Sequence, residues 1–75
     1  MLAQARAAEQ SGNMSAAVNA YRQAANAGSG PAARRLYEIY TKGEGSVGRD
    51  GAEANTWRNK AVQLGENLPE AARLR

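Results

Sequence analysis

The chain has 75 residues, no Cys, no His, and a formal net charge of +3 from 10 Lys+Arg against 7 Asp+Glu. The missing residue types exclude a disulfide framework, thiol catalysis, His-dependent base catalysis and the usual zinc sites. Hydrophobic residues make up 43%, but 17 of them are Ala, which leaves 15 large apolar side chains for a single thin core.

Glycine and proline divide the chain at regular places. Gly12, Gly28, Gly43 and Gly65 each follow a segment of helical composition, as expected of a residue that stops a helix in the left-handed conformation. Pro31 and Pro69 stand where a helix can begin. No segment alternates with period two or is rich in β-branched residues, so no strand is expected. No apolar run exceeds three residues, as at Ala16-Ala17-Val18, too short for a membrane span or a signal-peptide core. A soluble chain is therefore expected, with no membrane insertion. Cytoplasm and periplasm both remain open.

The first segment, Leu2–Ser11, has high helix propensity and an apolar face made mostly of Ala. The second, Met14–Ala27, repeats Ala17, Ala20, Tyr21, Ala24 and Ala27 at spacings of three and four, with Asn13 as N-cap. Its small residues predict close approach to a neighbouring helix. The third, Pro31–Lys42, gathers Ala32, Ala33, Leu36, Tyr37, Ile39 and Tyr40 within an arc of roughly 160°. Arg34, Arg35, Glu38, Thr41 and Lys42 occupy its other side. This helix is expected at the centre of the fold, packed against more than one neighbour. The fourth, Gly51–Leu64, puts Ala54, Trp57, Ala61 and Leu64 on one face, and Asp50 with Glu53 forms a capping-box pattern. The last, Leu68–Arg75, reads as the opening of a further helix.

The segments repeat. At an offset of 37, Asn13 meets Asp50, Ala17 meets Ala54, Ala24 meets Ala61 and Gly28 meets Gly65. At an offset of 38, Pro31, Ala33, Arg35 and Leu36 meet Pro69, Ala71, Arg73 and Leu74. A period in the high thirties with two helices per unit predicts an α-solenoid, because one helical hairpin cannot cover its own apolar face. The expected fold is all-α: an α-solenoid fragment of two stacked antiparallel hairpins plus a short C-terminal capping helix. Residues 1–28 would form the first hairpin, 29–65 a full repeat unit and 66–75 the start of another helix.

Gly30–Gly65 resembles a Sel-one-like repeat, a close relative of the tetratricopeptide repeat. The resemblance rests on Ala33, Leu36 and Tyr40, then Gly43-Glu44-Gly45-Ser46-Val47 and Asp50, and finally Ala54, Trp57, Lys60-Ala61 and Gly65. Leu2–Gly28 looks like the preceding hairpin. There Ala20 stands opposite Trp57 and Tyr21 is the substitute aromatic. The resemblance implies a bacterial scaffold or adaptor for protein complexes, without catalysis. It also implies that the first helix of a hairpin lines a concave, partner-binding surface. Arg34, Arg35, Glu38, Thr41 and Lys42 are then the partner-binding candidates, holding an acidic peptide or acidic protein surface through forked guanidiniums. The other reading of these five residues is an ordinary solvated face.

Other motifs have plainer explanations. Gly43–Gly48 matches G-x-G-x-x-G, but a dinucleotide loop needs a strand before it and a helix directly after it. It reads as an inter-helix loop with Val47 tucked into the hairpin. Glu38, Glu44, Asp50, Glu53, Glu66 and Glu70 show neither EF-hand spacing nor the pairing of a hydrolytic site. Asp50 and Glu53 read as capping residues, and the rest as solvated. Asn13-Met14-Ser15 is a formal glycosylation sequon, but Asn13 is assigned to capping. Tyr37, Tyr40 and Trp57 could stack on nucleic-acid bases, but their spacing assigns them to the core. No catalytic residue, metal site or cofactor is expected. The expected function is a non-enzymatic interaction or scaffold module, part of a longer repeat protein. A self-associating structural fragment is the main alternative, and a weak nucleic-acid binder a lesser one.

Overall fold

The computed structural model describes residues 2–68. Four helices follow in order: α1 (Leu2–Gln10), α2 (Met14–Asn26), α3 (Gly30–Lys42) and α4 (Gly51–Gln63). The chain is all-helical, with no strand among the described residues. It forms two helical hairpins, α1–α2 and α3–α4, joined by packing of α2 on α3. The expected capping helix and its Leu74 contact with α4 lie outside the described residues. Leu68, where that segment was expected to begin, is buried without being helical.

Helices α2, α3 and α4 start where their capping chemistry directs. Asn13 Oδ1 accepts from the Ala16 amide at 3.1 Å. Ser29 Oγ accepts from the Ala32 amide at 3.2 Å. Asp50 Oδ1 accepts from Ala52 and Glu53, each at 3.1 Å. These bonds satisfy amides that have no partner inside the helix. The expected capping box at α4 is half formed. The Glu53 carboxylate accepts from Trp57 Nε1 at 3.0 Å, while the Asp50 amide donates to the Tyr40 carbonyl at 2.9 Å.

The two stretches matched at the offset of 37 close alike. After α2, Gly28 donates to Ala25 at 3.0 Å and Ser29 to Ala24 at 3.0 Å. After α4, Gly65 donates to Val62 at 3.0 Å and Glu66 to Ala61 at 2.9 Å. Both are Schellman closures. Gly28 and Gly65 have φ of 107° and 96°, where a side chain would be strained. Helices α2 and α4 are each 13 residues long and superpose in sequence at the offset of 37. α1 closes in the same way, through Gly12 to Glu9 and Asn13 to Ala8. Asn13 and Ser29 thus end one helix and cap the next, which makes the α1–α2 and α2–α3 turns short. The α3–α4 connection is longer, at residues 43–50.

The core runs through the hairpins. Leu36 and Ile39 of α3 are its largest fully enclosed side chains, flanked by Tyr21, Val18 and Met14 from α2 and Trp57 from α4. Ala17, Ala24, Ala25, Ala32 and Ala33 are buried along α2 and α3, so these helices approach closely. Tyr37 and Tyr40 are half-buried at the core edge. The buried face of α2 differs from its expected one. It is centred on Met14, Val18 and Ala25 as well as Ala17, Tyr21 and Ala24, while Ala27 is exposed. α2 lies between two neighbours, and one narrow stripe cannot serve both. The loop packs down as expected at Val47, which joins the core edge. Gly45 sits against α2, where a Cβ would stand 2.5 Å from Met14 Cγ.

Trp57 is the largest side chain in a core short of volume. Trp57→Ala should cost about 3–5 kcal/mol, close to the whole stability of a domain this small. Urea denaturation followed by far-UV circular dichroism measures it, and native-like stability of the variant would refute this packing.

Candidate functional site

The polar face of α3 is split by its surroundings. Arg34, Thr41 and Lys42 are exposed, while Arg35 and Glu38 are half-buried. The Arg34 guanidinium touches two carboxylates loosely: Glu38 at 3.5 Å one turn along α3, and Glu66 at 3.8 Å. Half of the Arg34 side chain remains open to solvent. Such a contact contributes little to stability, because water screens it and two long side chains must be ordered.

Arg35 is different. Its Nε donates to Glu9 Oε2 at 2.9 Å, and Nη2 also pairs with that oxygen. On the other edge, Nη2 donates to Glu44 Oε1 at 2.7 Å and Nη1 to Glu44 Oε2 at 3.1 Å. Nη1 also meets Glu38 Oε1 at 3.3 Å. The planar guanidinium therefore serves a carboxylate on each of two edges, which its fixed fork geometry allows and a lysine ammonium would not. α1 supplies Glu9, α3 supplies Arg35 and Glu38, and the α3–α4 loop supplies Glu44. α2 joins through Tyr21, whose hydroxyl donates to Glu9 Oε1 at 2.6 Å. α1, α3 and the long loop meet at this one cation, and α2 reaches it through Glu9.

The electrostatics follow from these bonds. Hydrogen bonding to Arg35 holds the Glu9 carboxyl below its ordinary value of 4.5, against an opposing effect of burial. Burial first, and then donation to Glu9, pushes the Tyr21 phenol up to about 12. The Arg35 guanidinium is raised further above its usual range, chiefly by its bonds to Glu9.

Beside this network lies an open cleft of about 380 Å³, lined by Arg6, Glu9, Gln10, Tyr21 and Arg35. Among the described residues no cluster of three or more His, Cys, Asp or Glu could hold a metal ion. Gly43–Gly48 follows a helix, as the sequence indicates, and Asn13 works as a cap. Sequence reasoning placed Arg34 and Arg35 together as one acidic-partner fork. The structure separates them: Arg35 already holds internal carboxylates, and Arg34 faces outward. Glu44, read from sequence as solvated, is a partner of Arg35. Glu9 was not singled out at all, since a lone Glu on an Ala-rich helix carries no spacing signal.

No described helix is long and apolar enough to cross a membrane. Comparison with family models, with curated proteins and with solved structures returns no match.

The Tyr21 phenol gives a direct test of the network. Its raised value means that the folded chain binds this proton more tightly than the unfolded one. The associated stability is fully present below about pH 10 and is lost between pH 10 and about 12. Tyr21→Phe should remove that part of the pH dependence, measured by urea denaturation across the window. Glu9 acts in the opposite sense. Its contribution is present above about pH 4.5 and is lost as pH falls through its lowered folded value.

Proposed function

We propose that this chain is a non-enzymatic protein-interaction or scaffold module of the Sel-one-like, tetratricopeptide-related kind, part of a longer bacterial repeat protein. The observation that carries this reading is the repeated helix closure at the offset of 37. Stacked units of this type bury a continuous core between neighbours and leave one helix face per unit to solvent. On α3 that face presents Arg34, Thr41 and Lys42. Two of these are cations, in a chain with an excess of three positive charges. The partner this face suits is an acidic peptide or acidic protein surface. Arg35 and Glu38 border the face and shape it, and Arg35 is committed mainly to the fold.

The test uses a fluorescein-labelled peptide of alternating Glu and Ser, read by anisotropy at low salt. Reversing Arg34 and Lys42 together to Glu should weaken binding at least tenfold while the far-UV helix signal stays intact. The wild-type affinity should also fall as salt is added. Equal affinity of the reversed variant would remove this face from the reading. Strong, salt-dependent affinity for random duplex DNA would favour the nucleic-acid alternative instead.

A second reading has a specific observation behind it. Val62 on α4 is a large apolar residue left 47% exposed, on the hairpin where a further unit would stack. Self-association through that end would appear as a mass that rises with concentration in sedimentation equilibrium. A constant monomer mass counts against it.

A further inference from the structure

We infer that Glu44 is an internal stand-in for a partner carboxylate: an acidic peptide binds Arg35 by exchanging with Glu44 on the Nη1/Nη2 edge. The inference rests on the interaction reading above and deepens it.

The two edges of the guanidinium are not equivalent. Glu9 is fixed on α1, and its second oxygen is held by Tyr21 at 2.6 Å. That carboxylate cannot leave without orphaning a buried phenol. Glu44 stands on the loop between Gly43 and Gly45, both at positive φ. Among the described residues, its carboxylate accepts hydrogen bonds from Arg35 alone. Its side chain is 27% exposed, so water already reaches it.

The exchange does not require the loop to unfold. Val47 anchors the loop to the core, Gly45 rests on Met14, and the Asp50 amide is bonded to the Tyr40 carbonyl. Rotation of the Glu44 side chain into solvent leaves that edge to Glu38 alone, which meets only Nη1, at 3.3 Å. An incoming carboxylate then takes the same bidentate geometry, with the same charge and the same two donors. The Arg35 side chain is only 24% exposed in the free protein, so part of the desolvation cost of pairing does not recur on binding. Lys42, exposed on the same helix, and the half-open Arg34, only loosely paired with Glu38 and Glu66, supply positive potential for the rest of an acidic chain. Glu44 therefore acts as a competitor that sets a threshold. A single weak carboxylate gains nothing over it, whereas a peptide with several acidic residues does.

Anisotropy titration of the Glu-Ser peptide separates this idea from its parent. Glu44→Gln removes the competing charge and should tighten binding at least fivefold. Glu53→Gln makes the same change in net charge on α4, where the Gln oxygen can still accept from Trp57, and should tighten it less than twofold. Arg35→Lys in the Glu44→Gln background should abolish the gain, with circular dichroism confirming the fold. In the wild type, the Gly43, Glu44 and Gly45 amide resonances should move on peptide addition toward their positions in free Glu44→Gln. If Glu44→Gln tightens binding no more than Glu53→Gln, or the loop amides stay still while Arg34 and Lys42 respond, the exchange is wrong and the interaction face stands. If the peptide binds no variant, both readings fall.

Discussion

The guanidinium of Arg35 meets carboxylates from α1, from its own helix and from the α3–α4 loop, and reaches α2 through Glu9 and Tyr21. The chain needs such a tie because its core is thin. Leu36 and Ile39 are the largest side chains fully enclosed in it, and much of the remaining buried surface belongs to Ala. Alanine lets helices approach closely but contributes little transfer free energy per residue. A cation with a fixed planar fork can determine which carboxylate lies on which edge, and so help to set how α1 and the loop sit against α3.

This tie also has a consequence for recognition. The side chain best suited to hold a carboxylate is already holding several, and the side chains more open to a partner are the exposed Lys42 and the loosely paired Arg34. The fold and the interaction face therefore share one residue. Charge reversal at Arg35 would damage packing and binding together, so variants of that residue say little about a partner unless the fold is measured alongside. Arg34, with loose contacts at 3.5 and 3.8 Å, carries no such ambiguity.

Much of the helical layout was legible in the sequence because local chemistry writes it. Asn13 and Asp50 fix helix starts through side-chain oxygens, and Gly28 and Gly65 fix ends through a backbone conformation that suits glycine. The Ser29 cap, which starts α3 one residue before the expected Pro31, is a finding of the structure. The stripe of Leu36 and Ile39 marks the centre of α3 for the same local reason. What the sequence concealed is long-range. Glu9 and Arg35 are 26 positions apart, and helical periodicity reports the face a residue occupies, not what crosses from the next helix. Glu44 looked solvated because its loop is rich in glycine, and nothing local says that the loop folds back onto α3. Arg35 was correctly placed on the polar side of its helix, yet that side is covered at one end by α1 and the loop. The α2 face was misjudged in part because a helix with two neighbours buries more than the single stripe that a spacing rule detects.

The central claim is that Arg35 couples α1 to α3 energetically and does not merely touch it. A double-mutant cycle of Arg35→Met and Glu9→Gln, read by urea denaturation at neutral pH and moderate salt, tests this directly. The account predicts a favourable coupling of about 1–3 kcal/mol, as expected for charge-assisted hydrogen bonds that are partly shielded from water. A coupling within about 0.3 kcal/mol of zero, the range of independent sites, would contradict it and would reduce the network to a surface ion pair.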